Sequence, residues 1–285
     1  MHARSALFDL YGDHLRPRGG SAPVAALVRL MAPLDITAPA VRTAISRMVR
    51  QGWLSSTNLD GSRGYALTDR AQRRLDDAAA RIYRTRDLKW DGFWDLLVVD
   101  PVGNRSARER VRSGLSFLGY APLTDSTWIS PFASPEVDAV LKSEKANAAR
   151  FEARNGDPRL RAHEAWDLEA LGAAYSTWHR ETEALVSKPA AILGGVEFGS
   201  PDEEAFAVRS HLVHEWRKFL FTDPGLPAEL LPSDWPGHRA AAFFAAEASR
   251  LLPAASQFVD LCLQHGLDHA IPSTSGSPHQ SGESR

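Results

Sequence analysis

The apolar and polar positions of residues 37–50 repeat with the period of an α-helix. Val41, Ala44, Ile45 and Met48 fall at i, i+3, i+4 and i+7, and this spacing predicts one buried stripe along a single helix. The hydroxyl of Thr37 is expected to cap the first turn by accepting a hydrogen bond from a backbone N–H group.

The opposite face of this helix is basic and rich in hydroxyl groups, and no carboxylate interrupts it. Gly52, which follows, suits the left-handed position that ends a helix. The chain then runs through Leu54–Leu59 and Arg63–Leu67 on either side of Asp60-Gly61, a strong signal for a tight hairpin.

A helix followed directly by a hairpin is typical of a winged helix-turn-helix, in which the helix reads DNA and the hairpin forms the wing. The alternative is a small surface helix and hairpin in any α+β domain. The residues predicted to contact DNA are Thr37, Arg42, Thr43, Ser46, Arg47, Arg50 and Arg63.

Three further helices are predicted around this motif. One covers about 5–15, a second is expected to be capped by Ser21 and to contain Val24, Leu27, Val28 and Met31, and a third is expected to be capped by Thr68 and to reach about Arg84.

The pattern changes from residue 90 onward, where compact apolar runs alternate with helical periods. The predicted elements are strand 93–99, helix 106–118, strands 119–123 and 127–130, helix 135–142 and strand 149–154. This β-α-β-β-α-β order is that of a ferredoxin-like sandwich.

The remainder is predicted to be mainly helical, with long amphipathic segments at 166–186, 203–221 and 239–263. Pro253 is expected to break or kink the last of them. The fold class is therefore α+β. The predicted domains are a winged helix-turn-helix at 1–88, a ferredoxin-like domain at 89–160, a helical domain at 161–272 and a disordered tail at 273–285.

Charge is distributed unevenly along a chain that is nearly neutral, with 33 basic and 35 acidic residues. Residues 1–90 carry a net charge of +7 and residues 91–285 a net charge of −9. Such asymmetry suggests a module that faces nucleic acid, joined to a part that does not.

Other sequence features limit the class of protein. No apolar run approaches the roughly 18 residues of a membrane span, and the first residues lack the apolar core of a signal peptide, so a cytoplasmic location is expected. Cys262 is the only cysteine, which excludes an internal disulfide.

Candidate catalytic and metal sites are sparse. Asp100 follows the first strand of the middle domain and could hold a divalent cation in a nuclease, although an Asp-Pro turn is the favoured interpretation. His211, His214 and Glu215 form a possible metal motif, but a structural or ligand-facing role is favoured. No phosphate-binding glycine loop or nucleophile elbow is present, so neither a cofactor nor an enzyme activity is expected.

Aromatic side chains are frequent in the C-terminal part, and several cations lie close to them in sequence. This combination would suit an aromatic effector with an acidic group, whereas helix packing or a dimer interface is the alternative for each residue. The residues predicted for the effector are Trp178, Arg180, His214, Trp216, Arg217 and Lys218.

Three stretches together resemble the PaaX family of bacterial transcriptional repressors. They are VAALVRLMAPLDITAPAVRTAISRMVRQGWL with the following YALTDRAQRRL, then WDGFWDLLVVDPVGNRSARERVRSGLSFLGYAPLTDSTWISP, and finally HEWRKFLFTDPGLPAELLPSDWPGHRA. The resemblance covers the chain to about residue 270.

The resemblance implies a homodimer that binds a double-stranded DNA operator through a winged N-terminal domain. The middle domain, 89–160, would be ferredoxin-like, similar to the small nucleases of CRISPR adaptation, and would serve dimerisation. The helical C-terminal domain, 161–272, would serve effector binding and dimerisation. The family's namesake represses phenylacetate catabolism and is released from DNA by phenylacetyl-coenzyme A, so an acyl-CoA thioester is the expected effector. A metal-dependent nuclease and a DNA-binding protein without sequence preference are the alternatives.

Overall fold

The computed structural model describes residues 1–82 and 89–268, and the chain groups into two compact units. The first unit consists of residues 1–75, 198–210 and the chain from residue 252 onward. The second consists of residues 76–197 and 211–251. The predicted disordered tail and the predicted helix end near Arg84 lie outside the described residues.

The N-terminal region, residues 1–82, contains helices and a small antiparallel sheet. Its elements are α1 (Ala3–Leu10), β1 (Ser21–Pro23), α2 (Val24–Met31), α3 (Ala38–Arg50), β2 (Leu54–Leu59), β3 (Ser62–Leu67) and α4 (Asp69–Ile82). A π-helical turn, Tyr11–Leu15, continues α1, and the strand order is β1-β3-β2.

Ser21 does not cap α2, so this prediction was wrong. Ser21 opens strand β1 and pairs with Ala66, and α2 begins after Pro23 without a side-chain cap. A strand of three residues is too short to show a period of two, and Ser21 and Pro23 are also ordinary residues for the start of a helix.

The predicted hairpin is confirmed. Leu59 pairs with Ser62 across the turn, and Asp60 and Gly61 have φ values of 48° and 86°. Positive φ at both central residues is what a type I′ turn requires. The side chain of Asn58 supports the turn by accepting a hydrogen bond from the Gly61 N–H group at 2.8 Å.

Late segments of the chain complete the core of the first unit. Phe206 lies 5.4 Å from the His14 ring and 5.3 Å from the Phe258 ring, measured between ring centroids. Gly266 packs so closely on α2 that an added Cβ atom would lie 3.1 Å from the Ala26 backbone nitrogen. No periodicity in the sequence predicts these contacts, because they join residues that are between about 50 and 240 positions apart.

The second unit contains the predicted ferredoxin-like domain. Its elements are β4 (Trp94–Val99), α5 (Arg105–Phe117), β5 (Ala121–Pro122), β6 (Thr127–Ser130), α6 (Val137–Ser143) and β7 (Ala148–Ala153). The strands are antiparallel in the order β5-β6-β4-β7. Leu97 and Val99 of β4 pack on Val111 and Leu115 of α5 in its core.

Helices dominate the remainder, which confirms the α+β class. They are α7 (Pro158–Ala165), α8 (Leu168–Ser187), α9 (Pro189–Ile192), α10 (Pro201–Trp216) and α11 (Pro236–Asp268). A 3₁₀ segment, Arg217–Phe221, follows α10.

Two predictions within these helices were wrong. Trp166 does not begin the long helix, because it is extended between α7 and α8, and Asp167 caps α8 by accepting from the Ala170 N–H group at 2.9 Å. Pro253 lies inside the continuous helix α11, so the predicted break is wrong, whereas a kink at this residue stays a prediction. A proline removes one hydrogen bond of the helix, and the buried residues on both sides of Pro253, among them Leu251 and Ala255, keep the segment helical.

No single helix in the described ranges is long and apolar enough to cross a membrane. Two consecutive helical segments, Val24–Leu34 and Ala38–Arg50, reach the length and apolar composition of a membrane span only when they are counted together. They are bent by 120° relative to each other.

Candidate nucleic-acid interface

Helix α3 is held in place by the predicted apolar stripe. Val41, Ala44, Ile45 and Met48 are all buried, as their spacing predicts. Since these four side chains fix the rotation of α3 about its axis, they also determine which side chains face solvent.

The structure brings the predicted basic residues together on the solvent face of α3. All five side chains predicted for this face are exposed: Arg42, Thr43, Ser46, Arg47 and Arg50. These side chains are spread along the helix, and Arg47 and Arg50 both lie in its last turn.

The two ends of α3 are built differently. Thr37 has the extended backbone of a cap residue and is exposed, but its side chain makes no capping hydrogen bond, so the predicted hydroxyl cap was wrong. At the other end Gly52 has φ 71°. The Trp53 N–H group donates to the Met48 carbonyl at 2.9 Å and the Gly52 N–H group to the Val49 carbonyl at 3.0 Å, which is the Schellman motif.

The wing carries Arg63 on an exposed position of β3. Its guanidinium lies 5.6 Å from the centre of the Tyr65 ring, a cation–π distance that holds the arginine beside the strand. The base of the wing is fixed by the Tyr11 hydroxyl, which donates to the Tyr65 carbonyl at 2.9 Å. Gly64 allows β1 to approach, since a Cβ atom there would lie 2.9 Å from the Ala22 carbonyl oxygen.

The predicted cap at Thr68 is confirmed, and it joins α4 to the end of α3. Its hydroxyl accepts from the Ala71 N–H group at 3.3 Å and donates to the Gly52 carbonyl at 2.8 Å. Nearby, the Arg70 guanidinium lies 4.9 Å from the centre of the Trp53 ring. No local pattern identifies Arg70 as a partner of Trp53, because the two residues lie on opposite sides of the hairpin in the sequence.

A cluster of charged side chains is buried in the first unit. Arg209 donates to Asp13 through Nη2 at 2.7 Å and through Nε at 2.8 Å. The Nε2 atom of His14, which is 1 % exposed, lies 3.3 Å from the same carboxylate. Burial lowers the pKa of His14 to about 4, and this effect outweighs the attraction of Asp13, which acts in the opposite direction.

The predicted effector residues Trp178 and Trp216 lie in an aromatic cluster of the second unit. Their ring centroids are 4.7 Å apart, and Trp216 stacks on Phe244 at 4.7 Å with an interplanar angle of 10°. Both tryptophans are buried, and the Trp178 Nε1–H group has no hydrogen-bond partner among the described residues.

The predicted cations of this site differ in their exposure and in their neighbours. Arg180 is exposed on α8. The Nη2 atom of Arg217 lies 3.4 Å from Nδ1 of His214, and Lys218 pairs with Glu215 one turn earlier. Their assignment to an effector stays a prediction.

The candidate metal residues belong to the second unit. Asp100 is exposed after β4, and its N–H group donates to the Asn147 carbonyl at 2.9 Å. His211 is partly buried, and burial lowers its pKa to about 4. Within residues 1–82 and 89–268 there is no group of three or more His, Cys, Asp or Glu side chains that could hold a metal ion.

Comparisons with known proteins cover nearly the whole chain. Residues 2–71 match the family model described as PaaX-like protein, 87–164 match the PaaX protein central Cas2-like domain, and 166–261 match the PaaX-like protein C-terminal domain. The transcriptional repressor PaaX of Escherichia coli is 31 % identical over 264 residues, which cover 90 % of this chain and 82 % of that protein.

One solved structure has a similar fold over most of its length. It is an uncharacterised protein of Mycobacterium tuberculosis, 25 % identical, with a TM-score of 0.62. The match covers 91 % of this chain and 98 % of that one.

Proposed function

Because the chain belongs to the PaaX family, we propose that it is a transcriptional repressor that binds its operator as a homodimer and leaves DNA when an acyl-CoA effector binds. The genes it controls would belong to an aromatic or phenylacetate catabolic operon, as the family implies.

The solvent face of α3 is the observation that carries the DNA-binding part. It combines three arginines with two hydroxyl side chains, and residues 37–50 contain no carboxylate. Arginine donates two parallel hydrogen bonds to guanine edges in the major groove, and hydroxyl groups bond bases or phosphates. Arg42, Thr43, Ser46 and Arg47 are the proposed base-reading residues.

Thr37, Arg50 and Arg63 are proposed to position the protein on the DNA backbone. Thr37 stands at the N-terminus of α3, where backbone N–H groups and a hydroxyl favour a phosphate. Arg63 is on the wing, which tracks the backbone beside the recognition helix. Contacts of this kind raise affinity for every sequence alike and carry no sequence information.

A homodimer is proposed because one recognition helix reads too few base pairs to define a unique genomic site. Two copies related by a two-fold axis read two half-sites of a palindrome, about one helical turn apart. The net charge of −9 beyond residue 90 argues that this part of the chain serves assembly and effector binding more than DNA contact.

The effector is proposed to be a CoA thioester that binds near the aromatic cluster of the second unit. Adenine and an aryl group stack on aromatic rings, and the phosphates of CoA require cations. Trp178 and Trp216 could supply the aromatic rings. The cations could come from Arg180, Arg217 and Lys218. An effector releases DNA only if it binds the DNA-free conformation better.

Fluorescence anisotropy with the DNA region upstream of the gene tests this proposal. The full chain should bind a discrete site in preference to scrambled DNA of the same composition, and phenylacetyl-CoA should weaken binding at micromolar concentration while free phenylacetate does not. Equal affinity for both DNAs would favour a non-specific binding protein. Release by a free acid and not by any thioester would reject the CoA assignment and leave the repressor intact.

A further inference from the structure

Strand β7 (Ala148–Ala153) forms one edge of the four-stranded sheet in the second unit. Most of its side chains are exposed, among them Phe151 with 53 % of its surface accessible. Edge strands expose unpaired backbone groups, and proteins usually protect them with charged side chains, proline or a bulge. Between residues 148 and 153 β7 has no proline and no lysine, and its two charged residues, Arg150 and Glu152, have opposite signs, so they can attract a second copy of the strand.

The hydrogen bonds of the sheet determine which backbone groups of β7 point outward. The Asp100 N–H group donates to the Asn147 carbonyl, so these two residues form a hydrogen-bonded pair. The same register places Ala149 opposite Val98 and Phe151 opposite Leu96. Because antiparallel partners alternate between bonded and non-bonded pairs, residues 149, 151 and 153 direct their backbone groups towards β4.

Residues 148, 150 and 152 therefore direct their N–H and C=O groups away from the sheet. The pairing of β4 with its other neighbour agrees with this alternation. The Val99 N–H group donates to the Ser126 carbonyl on the β6 side, so the next residue of β4, Asp100, directs its N–H group towards β7. Within residues 1–82 and 89–268, no backbone hydrogen bond from another segment reaches these outward groups.

We propose that β7 of a second copy of this chain pairs antiparallel with this edge, with the two Phe151 residues opposite each other on the two-fold axis. The pairing would join two four-stranded sheets into one of eight strands. It rests on the homodimer proposed above and specifies the surface that forms it.

The charges on β7 favour this register. With Phe151 on the two-fold axis, residue 150 of each copy lies opposite residue 152 of the other. Two Arg150–Glu152 pairs therefore form between the two subunits. These are the outward-pointing residues, so the pairs also exchange backbone hydrogen bonds. Opposite charges directly across a strand pair stabilise it, whereas like charges destabilise it.

Neighbouring registers are less favourable. If the two-fold axis passed through Arg150, the two copies of this arginine would lie opposite each other. If it passed through Glu152, two carboxylates would lie opposite each other. A centre at Ala153 opposes Glu152 to Arg154, but the pairing then runs past the end of β7 and opposes Phe151 to Asn155. Among these registers, only an axis at Phe151 pairs five residues of β7, 149–153, without placing like charges opposite each other.

Arg150 is already oriented for this contact by its own chain. Its Nε and Nη2 atoms donate to the buried Asp95 carboxylate at 2.6 and 2.8 Å, and 39 % of its side chain remains exposed. Holding the guanidinium in one place lowers the entropy that a second contact would cost.

Cysteine cross-linking of the full-length protein tests the register. Across a non-bonded antiparallel pair the Cα atoms are about 4.5 Å apart, which is within the range of a disulfide. Phe151→Cys should therefore shift from monomer to dimer on a non-reducing gel after mild oxidation, and reductant should reverse the shift. The native protein is the control, because Cys262 is buried.

Alanines on the same face provide matched controls. Ala149→Cys and Ala153→Cys should each stay monomeric on the gel, whereas the double variant should cross-link, since residue 149 faces residue 153. Cross-linking of either single variant, or of Arg150→Cys in place of Phe151→Cys, would show another register and overturn the proposal.

Light scattering separates this inference from the proposed function. A dimer that is not cross-linked at residue 151 would reject the β7 interface and leave the dimeric repressor intact. A protein that is monomeric at micromolar concentration would reject both. Glu152→Pro removes an outward N–H group but none of the bonds to β4, so it should convert the dimer to monomer with the circular dichroism spectrum unchanged; a Glu152→Pro dimer would contradict the strand pairing.

Discussion

Arg209 and Asp13 are 196 positions apart in sequence, yet they form a two-point ion pair that is almost completely buried, with 3 % and 8 % of the side chains exposed. The pair joins the middle of α10 to the π-helical turn after α1, inside the first unit. The N-terminal region is thus held from within by a residue that domain boundaries drawn from the sequence assign to the C-terminal domain.

Breaking this pair should destabilise the protein strongly. In Arg209→Met the carboxylate of Asp13 stays buried without its guanidinium, and removal of one member of a buried pair costs about 3–5 kcal/mol. The free energy of unfolding, measured with urea, gives the value. Arg250→Met is the matched control, because its pair with Glu247 is partly exposed and is worth at most about 1 kcal/mol. Equal losses in the two variants would contradict the role assigned to the buried pair.

The α3 face should carry sequence preference. Arg42→Ala and Arg47→Ala should each cost about 1–3 kcal/mol on the operator and relax the preference at one base pair. Arg63→Ala should weaken binding to all sequences alike and reduce the salt dependence by about one counterion. Gel-shift titrations on operator and scrambled DNA measure both effects.

Arg239→Ala serves as the control for these variants, because Arg239 is an exposed arginine of the second unit. It should leave the affinity unchanged. If the double variant Arg42→Ala/Arg47→Ala bound the operator like the native protein, the winged-helix interpretation would have to be given up.

Acidification should destabilise the first unit through His14. Its pKa is about 4 in the folded protein because of burial, below the ordinary value of about 6.5, so the unfolded chain binds more protons between these two pH values. Stability is therefore constant above about pH 6.5 and falls as the pH decreases towards 4, by at most about 1.4 kcal/mol per pH unit for this group.

Urea unfolding at pH 7 and pH 5 measures this dependence. His14→Phe should have a smaller difference between the two pH values than the native protein, whereas His2→Phe, at an exposed position, should not. An unchanged difference in His14→Phe would assign the acid sensitivity to other groups, among them His211, whose pKa is also lowered to about 4.

Effector binding should depend on the exposed cations near the aromatic cluster. Arg180→Ala and Lys218→Ala should each weaken the binding of phenylacetyl-CoA, since each removes a cation available to the CoA phosphates. Calorimetry with a panel of CoA thioesters gives the affinities, and Lys142→Ala on α6 is the control. Native affinity in both variants would place the thioester elsewhere.

Asp100 should be dispensable for DNA binding. Asp100→Ala should bind the operator like the native protein, because the residue is exposed and its backbone N–H group makes the bond to Asn147. Incubation of native protein with Mg²⁺ or Mn²⁺ and either DNA or RNA should give no cleavage. Metal-dependent cleavage that disappears in Asp100→Ala would establish the nuclease alternative.

Local signals in the sequence were sufficient for the parts of the fold that depend on neighbouring residues. Short-range periodicity and backbone preference predict the stripe on α3 and the Asp60-Gly61 turn. They also predict the order in which the strands and helices of the ferredoxin-like domain follow one another along the chain. Ser21 shows the limit of such signals, since the same residue suits a helix cap and a short strand, and only its pairing with Ala66 decides between them.

Contacts between distant segments could not be predicted in this way. The sequence around Arg209 has an ordinary helical pattern, and nothing in it identifies Asp13 as its partner. For the candidate effector residues, sequence showed that aromatic and basic side chains are close along the chain. Whether a tryptophan such as Trp216 faces a ligand or packs in a core is decided by Phe244 and other residues that the pattern does not connect to it.

The discontinuity of the first unit has a consequence for how the protein is made. A ribosome releases the residues of α3 and the wing well before Phe206, Arg209 and Phe258, which follow more than 130 positions later in the chain. Until these residues emerge, Asp13 and His14 lack the contacts that bury them. We therefore expect a chain that stops before Phe206 to have an incomplete first unit and to bind the operator less tightly than the full chain.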